Sequence, residues 1–84
     1  MIGPDFKEIF YEETVGDLLA DMRAQRQRMG YTIEQVEIMM GVTKDLVGKW
    51  ERGDRIPHLF SFFVWARAIG YDVGVKPRAS DYTY

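Results

Sequence analysis

Cysteine is absent from the 84 residues, which removes disulfides, thiolate metal sites and cysteine nucleophiles together. Histidine occurs once, as His58 beside Pro57, where helix capping or surface exposure explains an imidazole before catalysis does. Glu12 and Glu13 are neighbours in sequence and therefore point apart, so they make no evident acid–base pair. Glycine-rich phosphate loops, metal-ligand spacings and nucleophile motifs are missing as well. No enzyme is expected, and no cofactor or metal. No apolar run approaches the roughly 20 residues of a membrane span, and the opening Met1-Ile-Gly-Pro-Asp lacks the basic start and apolar stretch of an export signal. A cytoplasmic protein without a membrane partner is the expectation.

Positive charge is also scarce: 11 lysines and arginines face 13 aspartates and glutamates, a net −2. Such a chain has no general attraction for phosphate. The distribution matters more than the sum. Residues 1–22 hold Asp5, Glu8, Glu12, Glu13, Asp17 and Asp21 against Lys7 alone, a local −5, and the rest of the chain sums to +3. The acidic excess is either a partner-binding feature or simply a solvated face. A chain of this length makes one domain with a modest core, for which dimerisation is a natural source of further burial.

The run from Thr32 to Gly53 has the spacing of two short helices joined at Gly41, where glycine meets the positive φ of a tight corner. Ile33, Val36 and Met40 share one helix face, capped by Thr32. Thr43 is placed to cap a second helix over 43–52, with Leu46, Val47 and Trp50 inward and Lys44, Asp45, Gly48 and Lys49 outward. Small proteins hold one helix against DNA in this way. Upstream, Thr14 with Asp17 resembles a capping box, and Val15, Leu18, Leu19, Met22 and Met29 follow helical spacing up to Gly30. Downstream, Pro57 marks the start of a further helix. Leu59, Phe62, Phe63, Ala66 and Ile69 form its core face, leaving Phe60, Val64 and Trp65 as surplus apolar surface. The surplus either thickens the core or forms a dimer interface. Tyr71 to Lys76 alternates at period two and predicts a short strand ended by Pro77. Its backbone needs a partner, either its own copy in a second subunit or a segment near the N-terminus. Tyr71, Val73 and Val75 join the interface candidates. Phe6, Ile9 and Phe10 would form one face of a short N-terminal helix, a segment expected to dock on something.

Gly41-Val42-Thr43, Val47, Trp50-Glu51-Arg52-Gly53, Pro57 and Ala66-Arg67-Ala68-Ile69-Gly70 together resemble the Cro and XRE family of helix-turn-helix DNA-binding domains, over about residues 14–70. The resemblance implies an all-α, lambda-repressor-like bundle of four to five helices, here with a short C-terminal strand. It divides the chain into an acidic extension (1–13), the DNA-binding domain (14–70) and a strand and tail (71–84) suited to dimerisation. It implies a transcriptional regulator that binds double-stranded DNA; the strand and the surplus apolar surface add the expectation of a homodimer, and the acidic N-terminal segment that of a protein partner as a further option. By transfer from the family, Lys44, Asp45 and Lys49 are base readers. Gly48 either allows close approach or contributes no contact. Thr32, Thr43, Arg52 and Arg55 meet the DNA backbone, and Arg26 pairs with Glu51. Asp45 has a second explanation, since a carboxylate near a helix N-terminus is stabilised by the macrodipole. Two positions depart from the family pattern. Ile33 stands where a glutamine commonly donates to phosphate. Glu37 stands where a small residue is usual, and its stem is expected to bend outward and leave the carboxylate in water, near Lys44 or Lys49. A helix-turn-helix scaffold working as a protein-interaction module is the alternative.

Overall fold

The computed structural model describes residues 14–75 and residue 77, and in these it forms four helices: α1 Gly16–Arg28, α2 Ile33–Met40, α3 Leu46–Arg52 and α4 Leu59–Ala68. α1 packs on α3, and α2 packs on both α3 and α4. The expected N-terminal helix around Phe6, Ile9 and Phe10 lies outside the described residues.

Each helix boundary has a local cause. α2 begins with a complete capping box: the Gln35 amide donates to Thr32 Oγ1 at 3.1 Å, and the Thr32 amide donates to Gln35 Oε1 at 2.8 Å. It ends at Gly41, at φ 71° and ψ 31°, with the Val42 amide donating back to the Glu37 carbonyl at 3.1 Å. That left-handed closure is the corner glycine supplies without a Cβ penalty. α1 starts differently from expectation. Val15 at its N-cap is already helical (φ −73°, ψ −41°) and no side chain caps it, so Thr14 does not act as the cap, a role that needs extended backbone at the capping residue.

The core consists of Leu19 and Met22 from α1, Val36 from α2, Val47 and Trp50 from α3, and Trp65, Ala66 and Ile69 from the last helix and its end. Trp65 is fully buried. It stacks obliquely on Trp50 with ring centroids 5.3 Å apart and meets Phe62 edge-on at 6.3 Å. Its place as an interface candidate is therefore corrected: the indole fills the centre of the molecule. On and just before α4, the exposed apolar groups are instead Leu59 (71% exposed) and Phe60 (78%), with Ile56 and Phe63 less so. Val64 is half-buried. α4 is thus rotated from the sequence expectation, because the two tryptophans are the largest apolar side chains available and pack best against each other.

Residues 71–75 form no strand, and Lys76 lies outside the described residues. Tyr71 is held within the fold: its amide donates to the Ala66 carbonyl at 2.8 Å, and its hydroxyl accepts from Arg28 Nη2 at 3.2 Å. Val73 and Val75 are exposed. The alternation of apolar and polar residues here has no neighbouring strand to pair with among the described residues, and an isolated strand has no stability of its own.

Candidate nucleic-acid interface

The residues expected to face DNA run from the N-cap of α2 to just past the end of α3, whose inner side is fixed by burial. Val47, Trp50 and Glu51 point inward, and Lys44, Asp45, Lys49, Arg52 and Arg55 are exposed, as are Thr32 and Thr43. Gly48 is buried, so it offers no surface to a base, and its expected place among the base readers is corrected. The helix begins at Leu46 and not at Thr43. Asp45 takes a left-handed conformation (φ 67°, ψ 5°) and makes no side-chain cap, while Thr43 contributes only its carbonyl, which accepts from the Leu46 amide at 3.2 Å. Lys44 therefore stands on the turn that presents the helix.

The missing local cap comes from the preceding helix. Glu37 is only 3% exposed, and its Oε2 accepts from the Val47 amide at 3.0 Å. Its carboxylate is not in water near the lysines, as its charge alone suggests. The four leading amides of a helix lack intrahelical partners, and a carboxylate is a strong acceptor for one of them, favoured by the helix dipole. Glu37 therefore ties the two motif helices together where a small residue would only let them approach.

The far end of α3 is tied to α1. Arg26 Nε donates to Glu51 Oε2 at 2.6 Å and Nη2 donates to Oε1 at 3.1 Å, a two-pronged pair, while Nη1 donates to the Tyr31 carbonyl at 2.8 Å. Arg23 adds a contact of 3.5 Å to Glu51 Oε1. The sequence does not single out Arg23. Its position three residues before Arg26 on the same helix face is the signal that points to it.

A third group of charges lies outside. Arg52 Nη2 is 3.2 Å from Asp45 Oδ2, and Arg52 Nε donates to Asp54 Oδ2 at 3.0 Å. The hydrogen bonds to Asp54 first, and to Asp45 second, raise the guanidinium above the ordinary arginine pKa. It is charged at every relevant pH. Lys44, Lys49 and Arg55 make no ion pair among the described residues. Chemically, the arrangement is a short helix anchored from behind, with exposed cations on the turn before it (Lys44), on it (Lys49) and after its end (Arg55). The described residues include no cluster suited to hold a metal, and none of their helices is long and apolar enough to cross a membrane.

No curated protein and no solved structure matches the chain significantly. The family model for helix-turn-helix domains matches residues 22–75, which spans the end of α1, both motif helices and α4. With its corner at Gly41, its α3 presented outward and more than half of its length matched, the chain belongs to the Cro/C1-type helix-turn-helix family of DNA-binding domains, also called the XRE family.

Proposed function

We propose that this protein is a sequence-specific transcriptional regulator that lays residues 43–52 in the major groove of double-stranded DNA and binds a palindromic operator as a dimer. The observation that carries the reading is the division of α3. Its inner side is anchored by Val47, Trp50 and the Arg26–Glu51 pair, and its outer side leaves Lys44 and Lys49 open to a ligand. A major groove admits one helix of this kind, N-terminal residues foremost. Lys44 and Lys49 then donate to guanine O6 and N7, and Asp45 accepts from a base amino group. Thr32, Thr43 and Arg55 meet phosphates. Thr32 Oγ1 already accepts from Gln35, which leaves its O–H proton for a phosphate oxygen. Phosphate contacts fix register without specifying sequence.

Dimerisation is supported by the exposed Leu59 and Phe60 beside an apolar groove of about 300 Å³ lined by Val15, Leu18, Leu19, Ile56, Pro57, Leu59 and Phe62. The same groove favours a second reading, in which the scaffold works mainly as a protein-interaction module. Selection of duplexes from a random pool by the purified chain, with sedimentation in parallel, separates the two. A palindromic winner with half-sites about 34 Å apart supports the regulator, provided binding weakens steeply with salt. Retention of no duplex refutes it, and binding unchanged in Lys44→Ala, Lys49→Ala removes α3 from the interface.

A further inference from the structure

The front of α3 carries one arrangement that the roles above leave unexplained. Asp45 is the sole non-glycine residue with positive φ among the described residues, and its carboxylate meets Arg52 seven residues later, at 3.2 Å. Gly48 lies directly between them. A Cβ built on Gly48 would stand 2.5 Å from Asp45 Oδ1 and 3.1 Å from Arg52 Nη1. The ion pair therefore crosses the helix over bare backbone, and any larger residue at 48 would push it aside. Asp54, bound to the same guanidinium at 3.0 Å, holds the arginine from its other side.

We propose that Asp45 determines one base preference, for cytosine, that Arg52 is its positioning residue, and that Gly48 is the notch through which the two meet. The inference rests on the DNA-binding reading and adds a specificity to it. An ionised carboxylate only accepts hydrogen bonds. In the major groove, cytosine offers the N4 amino group, whereas guanine presents N7 and O6 and thymine presents O4, all acceptors that repel a carboxylate; adenine places its N6 donor beside the acceptor N7. Arg52 engages Oδ2 and so fixes the carboxylate plane, with Oδ1 lying over Gly48 and the carboxylate still more than half exposed to a base. An exposed ion pair contributes little stability, so the value of this one lies in orientation. Arg52, already shared by two carboxylates, neutralises no phosphate. That reverses its expected place on the DNA backbone.

The experiment uses the full chain. Duplexes selected by the wild type are competed against versions changed at each base pair, at several salt concentrations, and the set is repeated for Asp45→Asn, Gly48→Ala and Arg52→Gln. Asparagine tolerates the left-handed backbone at 45 and pairs with adenine, so Asp45→Asn shifts the preference at one base pair from cytosine to adenine. Alanine is the better helix former at 48, and the atoms it would meet are flexible side-chain ends. Gly48→Ala therefore keeps its melting temperature yet loses about tenfold in discrimination at that same pair, within the range of one base contact. Arg52→Gln does the same with an unchanged salt slope, and the double variant Gly48→Ala, Arg52→Gln loses no more than either single change. A merely structural role would lower the melting temperature and weaken all duplexes alike. Unchanged profiles in Gly48→Ala and Arg52→Gln overturn the proposal, as does an Arg52→Gln slope shallower by about 0.9, the mark of a phosphate that the arginine had neutralised. If the wild type selects no sequence at all, the regulator reading itself fails, and the two failures are distinguishable.

Discussion

The carboxylate of Glu37 is held inside the protein by one hydrogen bond from the Val47 amide, and its removal exposes how the motif is joined. Glu37→Ala leaves that amide without its partner, so urea unfolding should show a loss of about 1–3 kcal/mol. Glu37→Gln keeps an acceptor of the same reach and should lose less. Glu51 is the larger case. Its side chain is 1% exposed, between Arg26 at 2.6 Å and Arg23 at 3.5 Å. Arg26→Ala strands this charge with a distant partner, and breaking a buried pair from one side costs about 3–5 kcal/mol. Thermal unfolding checks it, and Arg26→Lys should recover only part, because an ammonium cannot reproduce the two-pronged contact. The residue types of the Arg26–Glu51 pair were legible from the family pattern. The inward turn of Glu37 was not, since sequence reports a charge but not whether an unpaired backbone donor waits beside it.

At the level of helices, capping separates two threonines that look alike in sequence. Thr32 is extended and capped reciprocally with Gln35, so Thr32→Ala should cost about 1 kcal/mol. Thr43 holds no helix end through its side chain, and Thr43→Ala should change stability by less than about 0.5 kcal/mol. Chemical denaturation of the two variants side by side makes the comparison. α3, at seven residues, is too short to persist alone, so the contacts that hold it are tertiary: Glu37 at its start, Glu51 near its end, Val47 and Trp50 beneath. α4 shows the same dependence. Trp65→Ala should cost about 3–5 kcal/mol, while Phe60→Ser should leave monomer stability within about 0.5 kcal/mol and reduce self-association in sedimentation. Helical periodicity placed α4 correctly but not its rotation: with six large apolar side chains in ten residues, several faces qualify, and only the position of Trp50 chooses among them.

For the molecule as a whole, charge placement outweighs charge sum. The chain is net acidic, yet Lys44, Lys49 and Arg55, within twelve residues of one another, are each exposed and make no ion pair among the described residues. Binding to duplex DNA should therefore fall steeply with salt, and Arg55→Ala, which leaves one phosphate per subunit without its cation, should make the logarithmic slope shallower by about 0.9 for each such phosphate. Titrations at four or five salt concentrations would measure it, and an unchanged slope would remove Arg55 from the DNA backbone.

Residue spacing and backbone preference within a few residues were enough for the helix-turn-helix, its corner at Gly41, the cap at Thr32 and the exposure of Lys44, Asp45 and Lys49, though not for the burial of Gly48. Packing in three dimensions was needed to show that Glu37 caps α3, that Trp65 fills the core, that Asp45 reaches Arg52 across Gly48, and that residues 71–75 form no strand. Each of these depends on which groups distant in the chain, or on opposite sides of a turn, come within a few ångströms of each other, and local pattern carries no record of that distance.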